Sequence, residues 1–378
     1  MRQAMMKGYR MDMVAKKHVC HLVHGFHVGG LEKIIVNCIN QLGEQYQHTI
    51  VTLTQAGELV EELPPSVTVI EMNKKPGNDL SLYPRLYRIL AGIKPDIFHT
   101  YNLGTIEYQW VAWLARIPRR IHAEHGRDTY DPYGKVAKYR YLRLISSWVI
   151  HHVVAVSNDL YHWLQRDVGI RQAKLALITN GVDVEYFSPQ FRKPSADKFI
   201  VGHVARLQGI KNQKLLINAF QHACQQDRDF SRHAELMLVG CGDDMTALKA
   251  LANSDSRYGG QIIFTGRQQN VRDYYARFDV FAMSSIAEGI PVTLLESMAM
   301  GVPHVVTRVG GIREVLLEGE TGLGVASQDR DSLAASLLKL FHDRGLRDGM
   351  GLVSRQRVEH HFSQLAMVEA YADLYHHR

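Results

Sequence analysis

Apolar residues along the chain gather into short runs rich in β-branched side chains, and these alternate with longer amphipathic stretches. In the first half the runs predict strands at 18–24, 48–54, 67–71, 96–100, 120–123 and 151–156. Between them, apolar positions recurring every three to four residues predict helices, for example at 31–42, 82–91 and 135–147. The segment 180–194, with Gly181, Pro189 and Pro194, interrupts the alternation and reads as a linker. Alternation restarts at 199–205 and continues through 234–239, 262–265, 280–283, 304–307 and 322–325. The tail, 329–378, is helical in pattern. Strands alternating with helices predict parallel sheets covered on both faces. The fold class expected is therefore α/β, with two doubly wound Rossmann-like domains facing across a cleft. Ligands of such sheets bind outside the carboxyl ends of the strands.

Composition bounds this picture without changing it. A chain of 378 residues is long enough for two cores, and its 46% hydrophobic and 22% charged content excludes disorder. No window approaches the roughly 18 apolar residues of a membrane-crossing helix. The most apolar run, 144–156, contains His151 and His152 and reads as a buried strand with its lead-in. Residues 1–17 carry scattered charges and no apolar core, so no secretory signal is expected. Cys20, Cys38, Cys224 and Cys241 form no CxxC pair and no zinc spacing, which fits reduced thiols in the cytoplasm.

Charge adds one feature. Residues 1–190 hold 22 Lys and Arg against 17 Asp and Glu, and residues 116–143 alone hold 8 against 3. That segment therefore accounts for the whole excess, and a local basic patch attracts anions. Residues 134–148, "GKVAKYRYLRLISSW", place Lys135, Lys138 and Arg143 beside Val136, Tyr139, Leu142 and Ile145. Such a basic amphipathic helix suits an anionic membrane surface at the inner face of the cytoplasmic membrane, or it is an ordinary surface helix with one face buried. No nucleic-acid module is recognisable, so nucleic acid is not an expected partner.

Four segments carry candidate chemistry. In "SSIAEGIPVTLLESMAMGVPHVVTRVGGIREVL", 284–316, a loop with Glu288, Gly289, Ile290 and Pro291 leads into a helix that starts at Pro291 and ends before Gly301. The unpaired N–H groups of a helix start suit a phosphate or a sugar hydroxyl. On spacing alone, Glu288 and Glu296 are as readily two solvated glutamates as a site. In "VGHVARLQGIKNQKLLINAF", 201–220, Arg206 and Lys211 follow a strand, and two fixed cations can stabilise negative charge on a leaving diphosphate. In "CHLVHGFHVGGLEKIIVNCINQL", 20–42, a loop with Gly25, Gly29 and Gly30 lets backbone approach a ligand closely. It is not GxGxxG, which disfavours a dinucleotide fold. In "RRIHAEHGRD", 119–128, His125 follows the fifth predicted strand, although a single histidine among twenty is by default structural.

Taken together these segments resemble the retaining GT-B glycosyltransferases of family 4, the group 1 glycosyltransferases. That family carries a Glu-x7-Glu motif followed by Gly-x-Pro and a Gly-Gly loop, here Glu288, Glu296, Gly301-Val302-Pro303 and Gly310-Gly311. It also carries the Arg-x4-Lys pair, here Arg206 and Lys211. The resemblance implies transfer of a sugar from a nucleoside diphosphate donor, UDP foremost, to a glycan or lipid-linked glycan of the bacterial cell surface. Configuration would be retained, with no metal and no cofactor. It implies an acceptor domain at 1–188, a donor domain at 189–361 and a last helix, about 362–378, packed back on the first. Arg206 and Lys211 would hold the diphosphate, Glu288 the sugar and Glu296 the ribose, with Gly289, Ile290, Pro291 and Val292 lining the donor. Ile290 stands where an aromatic residue is common. Gly29 and Gly30 would close over the donor phosphate, Gly266 and Arg267 would flank the base, and the His125 carbonyl would face the sugar. Another GT-B nucleotide-sugar enzyme, an epimerase or hydrolase, and a silent sugar-nucleotide binder are the alternatives.

Overall fold

The computed structural model describes residues 16–195 and 197–376. The sequence reading of the N-terminus therefore falls, up to residue 15, outside the described residues, as do 377 and 378 at the end of the last predicted helix.

Two parallel sheets organise the chain. The first joins β1 (Lys17–Val23), β2 (Tyr46–Thr52), β3 (Thr68–Glu71), β4 (Ile97–Tyr101), β5 (Arg119–Glu124), β6 (His152–Ala155) and β7 (Leu175–Leu177) in the order β3-β2-β1-β4-β5-β6-β7. The second joins β8 (Phe199–Val204), β9 (Ala234–Val239), β10 (Ile262–Gly266), β11 (Val280–Met283), β12 (His304–Thr307) and β13 (Gly322–Val325) in the order β10-β9-β8-β11-β12-β13. Helices cover both faces, which is why every residue of β4 and β8 is buried and their sequences read as continuous runs rather than alternating ones. This is the doubly wound pair that the alternation predicts. The three-residue β7 was not anticipated, and the first residues of the run 144–156 belong to the end of the helix Ala137–Ser146 rather than to a strand lead-in.

Several strand histidines lie inside these sheets and find hydrogen-bond partners there. His21 meets the Tyr101 hydroxyl at 2.8 Å, His99 the Tyr375 hydroxyl at 2.8 Å, and His203 the Ala282 carbonyl at 2.8 Å. Burial holds all three imidazoles below the usual histidine range. The helix Gln364–His376 buries Met367, Val368, Tyr371 and Tyr375 in the core of the first sheet, so the last described helix crosses back from the second half.

The chain order reverses between β1 and β4 in the first sheet and between β8 and β11 in the second. At such switch points the loops diverge and leave a crevice at the carboxyl ends of the strands. Both crevices open onto the same cleft, because the loops after β1 and β5 touch those after β8 and β11.

Candidate active site

On the second half, the loop after β8 carries Arg206 and a single turn, Gly209–Lys211, that aims Lys211 across the β8–β11 crevice. The Lys211 ammonium donates to Glu288 Oε1 at 2.6 Å, and the Ser285 hydroxyl donates to the same oxygen at 2.7 Å. Glu288 is 9% exposed, and its backbone is boxed in as well. Gly310, at φ +50, lies so close that a Cβ there would sit 2.0 Å from the Glu288 carbonyl oxygen. The Gly310-Gly311 pair is thus the floor under the glutamate loop.

The helix Val292–Ala299 starts after Pro291, and no side chain caps its N-terminus. The helix Gly30–Leu42 on the first half starts after Gly29, also uncapped. The two starts meet, since a Cβ on Gly30 would lie 3.5 Å from Val292 Cγ2. Two sets of polarised N–H groups therefore converge on one space beside Arg206, which itself donates to the Val28 carbonyl at 3.3 Å. Glu32 folds back over Gly29, and burial raises its carboxyl above the usual range although Arg206 draws it down.

Glu296 is not part of the Lys211 pair and has its own partner, the Tyr275 hydroxyl, which donates at 2.8 Å. Desolvation pushes this carboxyl up to about 7, against the opposing pull of Tyr275 and Lys33. The two motif glutamates therefore occupy separate environments, one paired with a cation and one with a phenol.

Across the cleft, His125 follows β5. Its main-chain N–H donates to Asn102 Oδ1 at 2.8 Å, and both ring nitrogens are buried without a protein partner. Burial lowers the imidazole to about 4, so it is neutral at physiological pH. Its carbonyl oxygen packs on Gly289, where a Cβ would come within 2.3 Å. His122, on the same strand, is held between Thr100 and Glu124 inside the sheet and is structural.

Gly266, at φ +71, ends β10, and Arg267 reaches over the cleft to pair with Glu58 of the first half. A cavity of about 700 Å³ opens here, lined by Arg267, Gln268, Asn270, Tyr274 and Glu58. The structure thus gathers Gly29, Gly30, Arg206, Lys211, Glu288, Gly289, Val292 and His125 at one seam. It holds Glu296 on Tyr275 and sets Arg267 at the lining of the cavity. Among the described residues no group of three or more His, Cys, Asp and Glu side chains is arranged to hold a metal ion.

One reading is corrected. Arg143 does not contribute to a basic outer face: its side chain is 1% exposed and bonds Glu124 at 2.6 Å and Asp128 at 2.7 Å. Burial would raise the Glu124 carboxyl, but Arg143 and His122 hold it at about 2. The outer face of that helix carries Lys138, Tyr141 and Ile145 instead, followed by Trp148. Sequence reasoning also missed Tyr275, Asn102, and Asn180, whose amide donates to the Ile290 carbonyl at 2.7 Å. Only Asn180 lies in a segment that the sequence singles out, the linker 180–194.

Comparison with known proteins places the chain among glycosyltransferases. The family model for Glycosyltransferase Family 4 matches residues 28–186, and that for Glycosyl transferases group 1 matches residues 198–343. One relative is the UDP-Gal:alpha-D-GlcNAc-diphosphoundecaprenol alpha-1,3-galactosyltransferase of Escherichia coli, 25% identical over 309 residues that cover 79% of each protein. Another is the capsular polysaccharide biosynthesis glycosyltransferase CapM of Staphylococcus aureus, 24% identical over 325 residues, 79% of this chain and 82% of the relative. Among solved structures, Anabaena HepE in complex with UDP and glucose superposes with a TM-score of 0.78 at 18% identity, covering 94% of this chain and 98% of that one.

Proposed function

Because this chain belongs to the group 1 and family 4 glycosyltransferases, we propose that it moves a sugar from a UDP-sugar to a hydroxyl of a glycan or lipid-linked glycan, in the synthesis of a bacterial cell-surface polysaccharide. The observation that carries this is the seam itself. Two cations, Arg206 and Lys211, and two uncapped helix starts face the His125 carbonyl across a cleft. A diphosphate fits among the positive groups, with the sugar turned toward Glu288–Val292 and His125, the ribose on Glu296 and the base by Gly266 and Arg267.

In this reading the bond from the anomeric carbon to the diphosphate oxygen breaks and its electron pair stays with the phosphate. Arg206 and Lys211 meet the growing charge, and such preplaced cations act more strongly as closure of the cleft excludes water. The acceptor oxygen bonds to the same face, and its proton passes to the departing phosphate oxygen, so configuration is retained. The His125 carbonyl dipole faces the positive character that develops on the sugar ring. No metal and no cofactor is assigned a step, because the counter-charge comes from side chains.

The test is nucleotide release from a panel of UDP-, GDP- and ADP-sugars, with and without glycan acceptors and EDTA. Acceptor-dependent UDP release unchanged by EDTA is expected. Release abolished by EDTA sinks the metal-free reading, and release that ignores the acceptor points to a hydrolase. No release with any donor and acceptor would leave the silent binder.

A pH effect follows from Glu296. The shift is upward from 4.5 to about 7, so the folded protein keeps a proton that the unfolded chain releases between those values. Stability from this group is greatest at the acid end and declines as pH rises through 7. Ribose hydroxyls donate to a carboxylate, so UDP affinity should rise between pH 6 and 8. Calorimetry across that range should find the rise in the wild type and its loss in Glu296→Gln.

We also propose that the helix Ala137–Ser146 rests on an anionic membrane at the cytoplasmic face. The support is its outward row Lys138, Tyr141 and Ile145 with Trp148 beyond, the last 71% exposed. Among the described residues Lys135, Lys138 and Arg140 have no carboxylate within ion-pair distance, and no helix is long and apolar enough to cross a membrane. Co-sedimentation with phosphatidylglycerol vesicles should weaken as salt rises and drop sharply in Lys138→Glu/Trp148→Ser. Equal binding to phosphatidylcholine vesicles would argue against it.

A further inference from the structure

We infer that Asn102 is the residue that positions His125 for the transfer reaction. The inference rests on the reading that places the His125 carbonyl against the donor sugar.

Asn102 follows β4 with φ 58 and ψ 170. Positive φ with extended ψ is a region that belongs almost wholly to glycine, and other residues persist there only where the surroundings hold them. Besides a 3.3 Å bond from the Thr105 hydroxyl to the Asn102 carbonyl, three hydrogen bonds do so. The Asn102 N–H donates to the Ala123 carbonyl at 2.8 Å, its carbonyl accepts from the Thr105 N–H at 3.1 Å, and its side-chain Oδ1 accepts from the His125 N–H at 2.8 Å. The first two involve only the main chain and would survive with any residue at 102. Only the third needs the carboxamide.

That third bond matters because little else holds His125. Neither ring nitrogen makes a hydrogen bond of normal geometry, the Asn180 side chain standing only near enough to pull the imidazole up against burial, and the ring's aromatic neighbour, Tyr101, lies 5.9 Å away between centroids. The residue is fixed at both ends of its main chain: the N–H on Asn102 and the carbonyl packed on Gly289. Without the first hold, rotation about the His125 backbone dihedrals would swing the carbonyl out of the seam. A glycine at 102 would take the observed backbone without strain, yet asparagine stands there. The side chain that brings the strain is also the one that grips His125.

The test separates positioning from a turn-forming role. If residue 102 only shaped the turn, Asn102→Gly should be as stable as the wild type or more so, and equally active. Positioning predicts a protein of undiminished melting temperature whose kcat falls by roughly 10- to 100-fold with little change in donor KM. Hydrogen–deuterium exchange should find the His125 amide protected in the wild type and exposed in Asn102→Gly. Asn102→Asp, which keeps an acceptor oxygen at the same reach, should restore that protection and most of kcat. Wild-type kcat in Asn102→Gly, or equal amide protection in the two proteins, overturns the inference. Should the wild-type chain transfer no sugar at all, the functional reading fails, and the exchange comparison decides alone whether Asn102 holds His125.

Discussion

Replacing Lys211 by alanine is expected to lower turnover by about 10²- to 10³-fold, read as UDP release at saturating donor and acceptor. Two parts make up this loss. In the proposed reaction the diphosphate gains charge as the glycosidic bond opens, and Lys211 is one of two cations fixed at that place. It is held by a short ion pair to Glu288 at 2.6 Å and so needs no reorganisation at the moment of reaction. Its removal also strands Glu288, a carboxylate only 9% exposed whose other bond is the Ser285 hydroxyl. Breaking a buried pair from one side costs about 3–5 kcal/mol when both partners are enclosed. Lys211 is 23% exposed along its side chain, so the structural share here is smaller. The two parts come apart in a second variant. Glu288→Gln removes the carboxylate and keeps the cation, so UDP affinity measured by calorimetry should fall in Lys211→Ala and hold in Glu288→Gln. Unchanged turnover in Lys211→Ala would remove it from the diphosphate site.

What could be foreseen of this site follows a physical division. Strands buried on both faces announce themselves as apolar runs, so β9, β11, β12 and β13 lie where the pattern puts them. Three residues without a β-branched side chain carry no such signal, and β7 (Leu175–Leu177) was missed. Gly301 after the glutamate helix does sit at φ +68, the left-handed stop that a glycine there suggests. Residues carried by a local motif were legible as candidates, Arg206 and Lys211 on the loop after β8 and Glu288 on the loop after β11. Partnerships made by tertiary placement were not: Tyr275 stands 21 residues from Glu296, and Asn102 stands 23 from His125. Arg143 was misjudged for a different reason. Its charge was counted while its phase was ignored, although Tyr139, Leu142 and Ser146 fall on the same helical stripe and mark it as inward. An arginine in that stripe needs buried carboxylates, and Glu124 and Asp128 supply them.

Two glycines of the glutamate loop should fail in opposite ways when changed to alanine. A Cβ on Gly289 would sit 2.3 Å from the His125 carbonyl oxygen and 3.0 Å from Val156 Cγ2, atoms that belong to the first half of the chain. A hinge that opens by about an ångström relieves such a clash, so Gly289→Ala should fold and melt as the wild type does. The same opening withdraws the His125 carbonyl from the sugar, and misplacement on this scale costs on the order of 10²-fold in turnover. Gly310 meets a different obstacle. At φ +50, with a Cβ 2.0 Å from the Glu288 carbonyl oxygen of its own half, no movement between the halves helps it. Gly310→Ala must distort the loop, at about 1–3 kcal/mol for the backbone conformation alone, and should lower the melting temperature by several degrees. Measured side by side, Gly289→Ala should lose turnover and keep its stability, while Gly310→Ala loses stability first. Full activity in Gly289→Ala would mean that the seam between His125 and Gly289 need not close for transfer. A melting temperature as low as that of Gly310→Ala would mean instead that the seam is part of the folded core, and that the cleft opens elsewhere.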